Sequence, residues 1–231
     1  MELERSLEVA YDYHGESGIG DIVLPKSRNK VEEVYAIDFM YETIINNKGE
    51  IHLISTGPST NIAKLLLTYP DVKDYIGSIT FMGGGIKKGN VTQYAEFNVY
   101  CDPEACSIII NSGVKVCMVG LDATMKAKLY RDEMYFLENT KSKQGLLTRL
   151  FYNGMLAVRG NLGLDFAVFH DSIAALSLIR EDLFEFQYLN LDVDLSGEKL
   201  GRTYIKENGK LVKVAMNFDK QKFIELMKDI F

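Results

Sequence analysis

The chain predicts an α/β fold: an open, mostly parallel, Rossmann-like sheet with helices on its faces. Short apolar runs alternate with longer amphipathic ones along all 231 residues, which is the pattern of a sheet covered by helices. The order strand, helix, strand, helix, strand from 51 to 120 supplies the crossovers that parallel strands require. The length suits one substantial core, and with only four prolines and no low-complexity linker the chain reads as a single domain over 1–231.

The elements follow in order. IHLIS, 51 to 55, is a strand. STNIAKLLLTYP follows as a helix with Ser59 at its N-cap. SITFM, 78 to 82, is the next strand, and GGG, 83 to 85, its turn. DPEACSIIINSG has a helix's punctuation: Asp102 as cap, Pro103 at the first position and Gly113 past the end. VKVCMVG is the third strand. Residues 141 to 159 predict a helix, and 171 to 180 a short apolar one starting at Asp171. FQYLNLDV, GRTYIK and KLVKVAM then predict strands, with ENG at 207 to 209 as a hairpin turn. FDKQKFIELMKDIF closes the chain as an amphipathic helix.

Composition narrows the function. Lys and Arg number 26 against 32 Asp and Glu, a formal net charge of −6. With no basic run, this disfavours nucleic acid or an anionic membrane as partner. Cys101, Cys106 and Cys117 have no metal-type spacing and suit small core residues in a reducing compartment. No run of about 18 apolar residues predicts a membrane span, and MELERSLEVAYDYHGE lacks the apolar block of a signal peptide. The expectation is a cytoplasmic protein.

In open α/β sheets ligands collect at the carboxyl ends of strands. That rule selects Thr56 to Pro58, Met82 to Gly85 and Asp122 to Thr124. The segment MGGGIKKGNVTQYAEFN, 82 to 98, offers Asn90, Glu96 and Asn98 within nine residues. Two carboxamides that donate and accept, plus a carboxylate that accepts from hydroxyls, suit a sugar, and Phe97 offers an apolar wall. The competing reading is a glycine turn with a solvated polar loop. A phosphate site is disfavoured, because GGGIKKG does not run straight into a helix and no Walker-type motif is present. His170 and Asp171 form the second constellation. Histidine protonates leaving groups near neutrality, and an aspartate binds a hard cation; a helix cap beside an incidental histidine is the bland alternative. Of the three histidines, His52 reads as structural, while His14 lies in a glycine-rich loop.

Together these stretches resemble the inosine-uridine preferring nucleoside hydrolases. STGPSTNIA, FMGGG, GNVTQYAEFNVYCDPEA, MVGLDAT and FHDSIAAL stand in that family's order, and YDYHGESGIGDIVLP resembles its HG-containing loop. The resemblance covers essentially the whole chain, and Gly89 to Ala105 is its most specific part. It implies the nucleoside hydrolase fold, and hydrolysis of the N-glycosidic bond of ribonucleosides in purine and pyrimidine salvage. It implies Ca2+ as cofactor, bound by the Thr56 carbonyl and the Asp171 carboxylate. Asn90, Glu96 and Asn98 would hold the ribose hydroxyls, with Met82 and Phe97 lining the pocket. His170 would protonate the leaving base, with His14 and Tyr152 on the base side. Relatives are commonly dimers or tetramers.

The chain departs from the family at its start. Members begin with a strand and an Asp-rich motif, D-x-D-x-x-x-D-D, that supplies the general base and most calcium ligands. Here that first strand is absent, with about seventy residues expected before the HG loop, so the chain reads as a truncated member. Three readings stay open: a hydrolase that needs the missing segment, supplied separately or not, an inactive ribose- or nucleoside-binding remnant, and a decayed remnant with no function. Were another carboxylate to serve as base, Asp122 and Asp165 would be the first candidates.

Overall fold

The computed structural model describes residues 5, 6, 8, 9, 15, 18, 19, 22–24, 26–160 and 162–231. Helix α1, Ala36–Asn46, leads into strand β1, Ile51–Ser55. Helix α2, Thr60–Thr68, and a 3-10 turn over Pro70–Tyr75 carry the chain to β2, Ile76–Met82. A loop and two short helices, α3 at Phe97–Cys101 and α4 at Pro103–Asn111, lead to β3, Val116–Val119. Then come α5, Leu121–Thr124, β4, Leu129–Tyr130, and the long α6, Lys143–Gly160. β5, Phe166–Ala167, precedes α7, His170–Ile179. β6, Phe184–Val193, β7, Thr203–Ile205, and β8, Lys210–Phe218, complete the strands, and α8, Lys220–Ile230, ends the chain. Among the described residues no helix is long and apolar enough to cross a membrane.

The elements divide into two compact units. The first comprises Met1–Leu7, Glu32–Met125 and His170–Phe218. Its sheet runs β1-β2-β3-β8-β6-β7. β1, β2, β3 and β8 are parallel neighbours, while β6 runs antiparallel to both β8 and β7. The α/β expectation therefore holds, with a mostly parallel sheet and an antiparallel extension. Its core includes Leu65 of α2, Ile109 of α4, Ile79 and Phe81 of β2, and Met118 of β3, all nearly inaccessible. Each such side chain contributes about 1.5–3 kcal/mol by leaving water. The second unit comprises Glu8–Val31, Lys126–Phe169 and Asp219–Phe231. It holds the small β4-β5 sheet, α6, and α8 with Asp219 as its N-cap.

Local chemistry explains most boundaries. Asp102 accepts from the Ala105 N–H, Pro103 opens α4, and Gly113 follows it at φ +86°. Three expectations need correction. Ser59 stands at the N-cap position of α2 as expected, but its side chain makes no cap hydrogen bond; its hydroxyl donates to Ser55 Oγ at 3.1 Å. Helix α7 begins at His170 rather than Asp171, so Asp171 sits inside the first turn, where its charge favours the helix dipole instead of capping the end. The turn at 207 to 209 does not join paired strands. β6 lies between β7 and β8, pairing with β8 along Phe184–Leu191 and with β7 along Leu191–Val193. The turn passes against the β6 backbone, where a Cβ on Gly209 would stand 2.6 Å from the Leu191 carbonyl oxygen.

Candidate active site

β1, β2 and β3 are parallel, so their carboxyl ends open on one edge of the sheet, and the polar segments lie there. At the end of β1 the Ser55 hydroxyl donates to the Gly57 carbonyl at 3.0 Å. This folds the loop back and leaves Thr56 exposed at the strand end.

The glycine turn after β2 is held on every side. The Gly84 carbonyl accepts from the Leu121 N–H at 2.9 Å. The Thr203 hydroxyl accepts from the Gly85 N–H at 3.0 Å and donates to the Gly85 carbonyl at 3.1 Å. The Asp122 carboxylate accepts from the N–H groups of Ile86, at 2.6 Å, and Lys87, at 3.3 Å. Asp122 is thus a buried anchor of the loop, with both oxygens engaged by backbone. The segment that follows turns back on itself: the Asn90 N–H donates to the Ala95 carbonyl, and a Cβ on Gly89 would meet that carbonyl oxygen at 2.2 Å. Only glycine fits there.

This folding gathers the predicted sugar contacts. Glu96 is 3% exposed, and its Oε2 accepts from the N–H groups of Gly84 at 2.9 Å and Val99 at 3.2 Å, capping α3. Burial pushes its pKa up to about 7; the backbone N–H groups of Asn98, Gly84 and Val99 oppose that rise, and the charge of Asp171 adds to it. Asn98 Nδ2 donates to the Met82 carbonyl at 3.0 Å and lies 3.3 Å from the Met82 sulfur. Asn90 Oδ1 accepts from the Phe97 N–H at 2.9 Å. Met82, Asn90, Glu96, Phe97 and Asn98 are therefore each fixed by hydrogen bonds within the loop and short helix that follow β2.

His170 is tied to the end of α5, the short helix after β3, with its Nδ1 2.8 Å from the hydroxyl of Thr124. Asp171 follows at the surface, and loss of solvation raises its carboxyl pKa. Its charge acts on Glu96, which brings the two constellations into electrostatic reach of each other. Tyr152 belongs to the second unit. It is 3% exposed, its hydroxyl donates to the Leu129 carbonyl at 3.3 Å, and its ring tilts against Phe169. His14 lies outside the described residues.

Similarity to known proteins decides the family. The model of the family described as inosine-uridine preferring nucleoside hydrolase matches residues 2–225. The chain belongs to the inosine-uridine preferring nucleoside hydrolase family. It is 31% identical to the pyrimidine-specific ribonucleoside hydrolase RihA of Escherichia coli O81 (strain ED1a), over 98% of this chain and 76% of that protein. Among solved structures it is similar to a purine-preferring ribonucleoside hydrolase from Gardnerella vaginalis, at TM-score 0.88 and 30% identity, covering 97% of this chain and 75% of that one. A plant nucleoside hydrolase, PpNRh1, superposes at TM-score 0.89 with 25% identity, covering 96% and 74%. This nucleoside hydrolase thus shares the family's fold along nearly its whole length.

Fit to the family's implied calcium can be tested on the donors themselves. Among the described residues no three His, Cys, Asp or Glu side chains stand together in a metal-binding group. Calcium takes six to eight oxygens, and Thr56 and Asp171 do not make up that set. Sequence reasoning missed Thr124 and Thr203 as supports of this nucleoside hydrolase's site. Thr203 is 118 residues from the glycine it holds, and no local pattern signals such a contact. Thr124 stood at a strand end singled out for ligands, and its partner His170 was in view.

Proposed function

We propose that the cluster at the end of β2 binds the ribose of a ribonucleoside, and that the chain's reaction is hydrolysis of its N-glycosidic bond. The observation that carries the reading is the fixing of Glu96, Asn98, Asn90 and Met82 by hydrogen bonds within the segment after β2, with His170 held by Thr124 at the end of α5. Glycosidic cleavage develops positive charge on the sugar. Hydroxyl anchors that tighten as the ring distorts favour that state over the ground state. With a pKa of about 7, Glu96 exists near neutrality as both carboxylate and carboxylic acid, so it can accept from or donate to a sugar hydroxyl. His170 serves as proton donor to the departing base. The nucleophilic water needs a base and a cation beyond the described set, and the resemblance assigns both to the Asp-rich strand. The three free cysteines, two of them buried, suit a cytoplasmic setting.

A second reading is favoured by the contrast between the gathered sugar cluster and the sparse metal donors: the chain binds nucleoside without cleaving it. Titration calorimetry with inosine, uridine and ribose, alongside a chromatographic assay for free base, separates the two. Binding with release of base supports hydrolysis, and binding without release supports the second reading. Glu96→Ala and Asn98→Ala should each weaken binding about 10- to 100-fold, the worth of a hydrogen bond to a charged or buried partner. Unchanged affinity in both variants would remove the cluster from the site. The named relatives are pyrimidine-specific in one case and purine-preferring in another, so both nucleosides belong in the assay.

A further inference from the structure

We infer that Thr124 is a positioning residue that fixes His170 as the tautomer with its proton on Nε2. The inference rests on the reading of His170 as the proton donor to the leaving base. Thr124 is the last residue of α5, directly after β3, and none of its surface is accessible. Its Oγ1 lies 2.8 Å from His170 Nδ1, a full hydrogen bond by distance. Two arrangements satisfy that distance: the hydroxyl donates to a lone pair on Nδ1, or Nδ1–H donates to the hydroxyl oxygen.

Burial chooses between them. Among the described residues the Thr124 hydroxyl has no other hydrogen-bond partner. The Gly120 carbonyl, one turn back, accepts from the backbone N–H of Thr124 and not from its hydroxyl. If Nδ1 carried the proton, the threonine O–H would be sealed from water with no acceptor, a cost comparable to a lost hydrogen bond. With the hydroxyl donating, both groups are satisfied and the imidazole proton resides on Nε2. In a neutral imidazole the hydrogen bond at one nitrogen sets which nitrogen carries the proton. A threonine in this position therefore turns Nδ1 toward the protein and places the proton of the neutral ring on Nε2, so Nε2 is the nitrogen that would exchange a proton with a leaving base, which it delivers as imidazolium. The bond also ties the first residue of α7 to the last residue of α5, limiting rotation of the ring.

The test is long-range proton–nitrogen correlation NMR on the full chain with nitrogen-15 histidine. It is run at about pH 8.5, two units above the ordinary imidazole value, and a His170→Asn spectrum assigns the ring. The wild type and Thr124→Ser should show Nδ1 as an unprotonated nitrogen accepting a hydrogen bond, and Nε2 protonated. In Thr124→Val the Nδ1 signal should shift, and the single tautomer should give way to an average of two. A proton on Nδ1 in the wild type, or unchanged ring-nitrogen shifts in Thr124→Val, would overturn the inference. If the valine variant does not fold, the wild-type and serine spectra still decide. Because the signal comes from the resting protein, absence of nucleoside cleavage would count against the functional reading alone.

Discussion

Glu96 is pulled two ways: burial favours its proton, and three backbone N–H groups favour its charge, with burial the larger. Its folded pKa of about 7 lies above the ordinary value of 4.5, so between those values the native state binds more protons than the unfolded chain. Stability from this group is greatest below about pH 4.5 and is lost as pH rises through 7, by about 3 kcal/mol over the window. Glu96→Gln, which mimics the protonated acid, should therefore be more stable than the wild type at pH 8 and lose that advantage near pH 5. Urea melts at the two pH values measure it, and an equal difference at both would refute the assignment. The sequence singled out Glu96 as a candidate sugar contact, because it stood two residues before the carboxamide of Asn98 in the polar segment after a strand. Its second role was not legible. α3 is only five residues long, too short for a hydrophobic period to reveal the helix that Glu96 caps.

Among the elements, the parallel strands were legible because buried strands are short apolar runs between turn signals. IHLIS is matched residue for residue by β1. The antiparallel extension was legible as strands but not as an order, since two strands joined by a tight turn ordinarily pair with each other. β6 displaces that pairing because its ten residues are long enough to serve β8 along one stretch and β7 along the next. The glycine turn after β2 supports a prediction at this scale. Gly84 and Gly113 have similar backbones, at φ +72° and +86°. A Cβ on Gly84 would meet Thr203 Oγ1 at 2.8 Å and the Met118 sulfur at 2.9 Å, whereas one on Gly113 would meet nothing within 4 Å. Gly113→Ala should cost only the left-handed backbone strain, about 1–2 kcal/mol. Gly84→Ala should add overpacking of about 1–3 kcal/mol and should weaken ribose binding as well, since the Gly84 N–H is a donor to Glu96. Denaturant melts of the two variants give the difference, and equal losses would mean that the Thr203 contact yields freely.

For the whole molecule, the proposed sugar cluster and the expected metal donors make opposite demands. The cluster is built within one stretch of chain, from Met82 to Asn98, and its hydrogen bonds to the backbone hold it without help from a ligand. A calcium site instead needs six to eight oxygen ligands, several of them carboxylates whose mutual repulsion only the bound ion offsets. Here Asp171 stands in the first turn of α7 with a carboxyl already raised in pKa by loss of solvation, and no third ligating side chain joins it among the described residues. The expected outcome is weak calcium binding by the 231-residue chain, and nucleoside cleavage at least about 100-fold below that of a longer chain carrying an Asp-rich strand, the contribution of a positioned base alone. Calorimetry with calcium chloride and assays on inosine and uridine test both halves. Near-stoichiometric, tight calcium binding would place ligands outside the described set. Full turnover by the 231-residue chain, lost on Glu96→Ala, would make a carboxylate of this chain the base. Asp122 is not that carboxylate, because both its oxygens are already engaged by the backbone of the glycine loop.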